Sequence, residues 1–173
     1  MSDLGKIHIY TGNGKGKTTS ALGLVIRANS SGLKVIIIYF DKLACNCTEY
    51  IALDKLGIDY KFFGINRIFD NKFRFGYNDN DISEISNAWN FAKNVISSGE
   101  YDLIALDEII NCLNYIDTKE LELILKSKNK SELILTGRNA PDNIIELADL
   151  VTENLEIKHY FKNGCSARKG IEY

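Results

Sequence analysis

The sequence predicts an α/β fold in which a mostly parallel central sheet is flanked by helices on both faces. Three observations predict it. Short β-branched runs alternate with helical segments, the order that parallel strands and their crossovers require. Residues 35–40 (VIIIYF) form a continuous apolar run, the pattern of a strand covered on both faces. Residues 11–19 (TGNGKGKTT) lie between a short apolar run and a helix start, which is the context of a P-loop. Ligands in such sheets bind at the carboxyl ends of the strands.

The first strand is residues 7–10 (IHIY), and a helix is expected from about residue 20. After the 35–40 strand, residues 50–56 read as a short helix and 58–63 (IDYKFF) as a third strand. Residues 66–80 mix Asn, Asp, Phe and Arg without a period and read as a long loop, a form that is often functional. In residues 82–96, Ile82, Ile85, Trp89, Ala92 and Ile96 share one helical face. Residues 101–106 (YDLIAL) are the next strand, and 118–125 an amphipathic helix with Thr118 as its N-cap. Residues 132–135 (ELIL) are a strand, and Pro141 opens a helix reaching Ala148. Residues 150–152 and 157–161 read as two final strands.

The P-loop glycines turn backbone N–H groups toward a phosphate chain, Lys17 adds a point charge, and the helix N-terminus adds its dipole. Thr18 offers a hydroxyl to a magnesium ion on the phosphates. A nucleoside triphosphate is therefore expected. The first glycine of the usual pattern is displaced by one position: Thr11 stands there and Gly12 follows. Asp107 and Glu108 end an apolar strand, as do the acids that hold magnesium or water in P-loop proteins; a solvated or helix-capping pair is the alternative. Arg138, after the next strand, suits phosphate or carboxylate, or equally a surface helix cap. Arg27 by itself reads as a cation at a helix C-terminus. Residues 157–161 (IKHYF) could be an edge strand with a solvated Lys-His pair.

Composition narrows the partners. A chain of 173 residues suffices for one domain with its own core, so 1–173 is expected to be a single unit. A net charge of -2 gives no general affinity for nucleic acid or anionic membrane, and no apolar run has the length of a membrane span. The N-terminus does not read as a signal peptide, so a cytoplasmic location is expected. Of the four cysteines, Cys45 and Cys47 form a C-x-C pair. Free thiols in a reducing compartment are favoured over a zinc site, because His8 and His159 are the only histidines and His8 lies in a strand.

Taken together, residues 11–19 (TGNGKGKTT), Arg27-Ala28, 100–109 (EYDLIALDEI), 135–141 (LTGRNAP), 145–153 (IELADLVTE), 157–161 (IKHYF) and 170–173 (GIEY) resemble the corrinoid adenosyltransferases. The resemblance spans nearly the whole chain and includes the displaced glycine. It implies a P-loop NTPase-like fold and transfer of the 5′-deoxyadenosyl group of ATP to the Co(I) centre of a reduced corrinoid, with release of triphosphate. It implies that Gly12, Asn13, Gly14, Lys15, Gly16, Lys17, Thr18, Thr19 and Arg27 hold the nucleotide. It places Mg2+ or Mn2+ on Thr18, Asp107 and Glu108, and makes Lys17, Glu108 and Arg138 the catalytic set. It further implies a homodimer and a flavin-type reductase that supplies Co(I).

The sequence departs from the family on the corrinoid side. The family's Gln-Phe-x-Lys-Gly segment is here Tyr39-Phe40-Asp41-Lys42-Leu43. Its Gly-Phe-Thr-Trp run corresponds to residues 69–73, where Phe73, with Phe69 or Phe75 nearby, could wall the lower corrin face or simply anchor a loop. A P-loop phosphotransferase or NTPase cleaving at phosphorus is one other reading of the chain. A non-catalytic nucleotide- or corrinoid-binding protein is the second.

Overall fold

The computed structural model describes residues 4–43, 47–66, 68–69, 72–74 and 76–172. Strand β1 (Ile7–Thr11) leads through the P-loop into helix α1 (Lys17–Ser30), followed by β2 (Val35–Tyr39), α2 (Tyr50–Leu56) and β3 (Asp59–Phe62). A two-stranded antiparallel pair, β4 (Ile68–Phe69) and β5 (Lys72–Phe73), interrupts the stretch expected as loop. Helix α3 (Asp79–Ser98), β6 (Leu103–Asp107), a 3-10 segment (Ile109–Tyr115), α4 (Thr118–Ser127), β7 (Glu132–Thr136), α5 (Asp142–Ile145) and β8 (Leu150–Glu153) complete the order.

The main sheet has six strands in the order β3-β2-β6-β7-β1-β8, and every pairing in it is parallel. Alternate residues of the central strands feed two cores. In β2, Ile36 and Ile38 pack with Ile85, Ala88, Trp89 and Ala92 of α3. Val35, Ile37 and Tyr39 pack on the other side with Ala21, Val25 and Ala28 of α1. All five β2 residues are buried, which is why the run is uniformly apolar rather than alternating. Each fully buried aliphatic side chain there contributes about 1.5–3 kcal/mol of transfer free energy.

Local chemistry sets the helix ends. The Asn78 side chain accepts from the Asn80 and Asp81 amides while Asp81 accepts from the Asn78 amide, a reciprocal capping box that starts α3. Asp117, not Thr118, caps α4, because its carboxylate accepts from the Lys119 and Glu120 amides. The helix expected from Pro141 to Ala148 shortens to Asp142–Ile145. The amides of Leu147 and Ala148 bond back three residues, and the chain must then bring Asp149 onto β1, where its amide reaches the Ile7 carbonyl at 2.9 Å.

The strand expected at 157–161 is absent. That stretch is irregular and closes in a 3-10 turn at Tyr160–Asn163, with His159 Nδ1 accepting from the Phe161 amide at 3.1 Å. Ile157 is 93% exposed, so its apolar pattern does not reflect burial within this chain. Because all six strands are parallel, one edge of the sheet collects the residues just past β1, β2, β6, β7 and β8.

Candidate functional site

The P-loop is fixed by the chain segment that leaves β8. Gly14 N donates to the Asn154 carbonyl at 2.6 Å, and the Asn154 amide donates to the Thr11 carbonyl at 2.8 Å. Gly12 has φ +94, and a Cβ placed on it would lie 2.6 Å from Asn154 O. A Cβ on Gly14 would meet the carbonyl oxygens of Asn154 and Leu155, both at 2.7 Å. The displaced glycine therefore stands where the backbone is left-handed and a second chain segment touches it. Gly16, at φ +113, opens α1, so the helix begins at Lys17 rather than near residue 20.

Lys17 is buried, and its ammonium donates to the carbonyls of Gly12 and Gly14 at 2.8 Å each. Burial first, and next the Arg138 guanidinium, hold its pKa below the usual lysine value. On the neighbouring strand ends, Asp107 is fully buried and Glu108 has φ +65. Thr136 at the end of β7 positions both acids: its hydroxyl donates to Asp107 Oδ1 at 2.7 Å and accepts from the Glu108 amide at 2.9 Å. Thr18 Oγ1 donates to Asp107 Oδ2 at 3.3 Å.

Glu108 Oε2 accepts from Asn111 Nδ2. Burial raises the Glu108 pKa against the opposing pull of Lys42, and the Asp107 charge raises it further. Asn111 also holds the next loop, its Oδ1 accepting the Arg138 amide at 2.7 Å. The Arg138 guanidinium reaches Asn13 Oδ1 at 3.4 Å and so faces the P-loop across the sheet edge.

Together these residues line a cleft of about 510 Å3. Asn13, Gly14, Lys15, Gly16, Lys17, Thr18, Thr19, Glu108 and Arg138 are all on its wall. Gly12 and Asp107 lie just behind it, through Lys17 and Thr18. Arg27 is elsewhere. It is exposed in the last turn of α1, and ten positions past Lys17 it lies roughly 15 Å farther along the helix. In the single chain it does not line the cleft. Phe73 lies in β5 by its backbone; its side chain, like that of Phe69, is outside what the structure describes, as is Phe75.

Several cleft residues escaped the sequence reading. Lys42, just past β2, donates to Asp107 Oδ2 at 2.5 Å and to Thr18 Oγ1 at 3.2 Å. Burial alone would lower its pKa, but Asp107 and Glu108 outweigh that and raise it. Its signal was available: it comes just after a fully buried strand that pairs with the Asp107 strand. Thr48 and Glu49 also line the cleft, and Glu49 Oε2 is buried without a hydrogen-bond partner among the described residues.

The C-terminal segment closes the other side. Lys15 Nζ donates to Tyr160 Oη at 3.0 Å, to the Ile171 carbonyl at 2.8 Å and to Glu172 Oε1 at 2.8 Å. Arg168 binds the same Glu172 carboxylate through its amide at 2.7 Å and its guanidinium. Tyr160 and residues 168–172 thus form a strap against the P-loop.

The donor set suits a hard divalent cation that keeps water and phosphate as its other ligands. Thr18 and Asp107 offer oxygens at one spot, with Glu108 beside them, as magnesium requires. Among the described residues no cluster of three or more His, Cys, Asp or Glu could form an all-protein metal cage. Cys47, Cys112 and Cys165 carry no disulfide, and Cys45 lies outside the described residues. No helix of the described residues is long and apolar enough to cross a membrane.

Comparison with known proteins converges on one family. Residues 3–173 match the family described as ATP:corrinoid adenosyltransferase BtuR/CobO/CobP. The corrinoid adenosyltransferase of Escherichia coli K12 is 33% identical over 177 residues, covering 100% of this chain and 88% of that one. That of a Sinorhizobium species is 34% identical over 174 residues, covering 98% and 80%. Corrinoid adenosyltransferase CobA of Salmonella typhimurium LT2 is 31% identical, covering 100% and 88%. In fold, the chain is similar to the KaiC-like protein PH0186 of Pyrococcus horikoshii, with TM-score 0.54 and 16% identity over 87% of this chain and 73% of that one. With its P-loop, Glu108 and Arg138 gathered on one cleft, this chain belongs to the ATP:corrinoid adenosyltransferase family.

Proposed function

We infer that this chain is an adenosyltransferase that moves the 5′-deoxyadenosyl group of ATP to the cobalt of a reduced corrinoid. The observation that carries the reading is the convergence of Lys17, Glu108 and Arg138 on one cleft in a chain of this family. In the reaction, Co(I) donates its electron pair to the ribose C5′. The C5′–O bond breaks, its electrons leave on inorganic triphosphate, and cobalt becomes formally Co(III). No proton moves, so no general base is required.

The chain's task is to hold the leaving group and aim the ribose. Lys17 exchanges the Gly12 and Gly14 carbonyls for phosphate oxygens, and the P-loop amides donate to the same chain of phosphates. Arg138, fixed through its backbone by Asn111, neutralises the triphosphate from the opposite wall. Glu108 faces the ribose side. Thr18, Asp107 and Glu108 would hold Mg2+ or Mn2+, which when bound would screen charge on the triphosphate.

The corrinoid lies beyond the ribose. Arg27 serves the nucleotide only if a partner chain presents it, which fits a homodimer. A flavin-type reductase supplies Co(I), and the protein works as one domain in a reducing cytoplasm.

An ATP analogue with methylene between the β and γ phosphorus atoms tests the bond that breaks. Attack at C5′ leaves turnover with reduced cobalamin under anoxia intact. Loss of turnover with this analogue, while it still binds, would instead indicate cleavage at the γ-phosphorus.

A further inference from the structure

Asp107 has no solvent contact, so its charge depends on its three neighbours. Oδ1 is taken by the Thr136 hydroxyl. Oδ2 accepts from Lys42 Nζ at 2.5 Å and from Thr18 Oγ1 at 3.3 Å. The same ammonium lies 3.2 Å from Thr18 Oγ1 and 3.9 Å from Glu108 Oε1. It therefore sits among the three oxygens that a divalent cation would use. We propose that Lys42 is a positioning residue that occupies the divalent-cation seat in the nucleotide-free chain, so that metal enters only together with triphosphate.

Charge decides the order. Three cations, Lys17, Lys42 and Arg138, act on Glu108 together with the Asp107 charge, and Glu49 lines the same cleft. A bare divalent cation would have to expel Lys42 from Asp107 and Glu108, leaving its ammonium beside Lys17 and Arg138 with no new counter-charge. The polyanionic triphosphate reverses that balance. Lys42 lines the same cleft, and its flexible four-carbon stem lets the ammonium exchange Asp107 for phosphate oxygens. Lys17 does not fill this seat, because it is held by the Gly12 and Gly14 carbonyls.

This proposal rests on the metal–triphosphate reading of the same cleft. The test is Mn2+ binding to the full chain, read from the electron paramagnetic resonance of free Mn2+, with and without inorganic triphosphate and without corrinoid. The wild type should bind Mn2+ weakly alone. Lys42→Met should bind Mn2+ alone at least about tenfold tighter, while Lys42→Arg behaves as wild type. Equal Mn2+ affinity of Lys42→Met and wild type without triphosphate would overturn the proposal. Lys42→Gln, which keeps a donor to Asp107 without the charge, gives the same comparison should Lys42→Met not fold. In the wild type itself, tight Mn2+ binding without triphosphate that disappears in Asp107→Asn would also overturn it. A wild type that takes no Mn2+ even with triphosphate contradicts the metal reading, and the proposal falls with it.

Discussion

The amide of Gly14 donates to the carbonyl of Asn154 at 2.6 Å, so the phosphate loop is braced by the segment that leaves the edge strand β8. Loop shape and the last sheet strand are thus one unit. Gly14→Ala would push a Cβ to 2.7 Å from two carbonyl oxygens. Relieving that clash should cost about 1–3 kcal/mol and open the loop. Chemical denaturation should register the loss of stability, and calorimetry should register weaker ATP binding. Unchanged values for both would contradict the brace.

Glu108 gives a pH-dependent prediction. Its folded pKa is raised, chiefly by burial, so its contribution to stability is present below the ordinary carboxylate pKa and is lost as pH rises through the folded value. Glu108→Gln should therefore raise Tm at neutral pH, have little effect on Tm at acid pH, and slow adenosyl transfer. Melting curves at pH 4 and pH 7.5 check the sign. A lower Tm at pH 7.5 would show that the charge stabilises the fold instead.

Glu172 has the opposite sign. Arg168 first, and then Lys15 and Tyr160, hold its carboxyl well below the usual range. Its contribution is present above the ordinary carboxylate pKa and disappears only as pH falls through the depressed folded value. The strap at 160–172 should stay docked until well below the usual carboxylate range. Glu172→Gln should release it at neutral pH, seen as faster amide exchange in 168–172 than in wild type. Equal exchange rates would mean that the strap does not depend on this carboxylate.

Lys17→Ala removes the ammonium that the loop carbonyls present to the cleft. Losing a charged partner of a phosphate should cost about 2–5 kcal/mol of ATP binding. Calorimetry on a variant whose circular dichroism matches wild type measures it. Retained full affinity would remove Lys17 from the site.

The central strands were legible because burial on both faces leaves an unbroken β-branched run, as in Val35–Tyr39. The P-loop, the strand-end acids and Arg138 were legible because parallel strands put every carboxyl end on one edge. Residues 157–161 misled because Ile157 and Phe161 are apolar yet exposed, so their pattern carries no strand period. Lys42 and Thr136 were not singled out, since their roles arise from β2, β6 and β7 lying side by side, a pairing of residues distant in sequence. Arg27 drew its expected role from the resemblance alone, and the length of α1 carries it away from the cleft.

The central claim is that the nucleotide is broken at C5′. Incubation with ATP, Mg2+ and chemically reduced cobalamin under anoxia, with the products resolved by phosphorus-31 spectroscopy and chromatography, tests it most directly. The account predicts intact inorganic triphosphate in equal amount to a light-sensitive adenosylated corrinoid. ADP and orthophosphate, with the corrinoid unmodified, would contradict it.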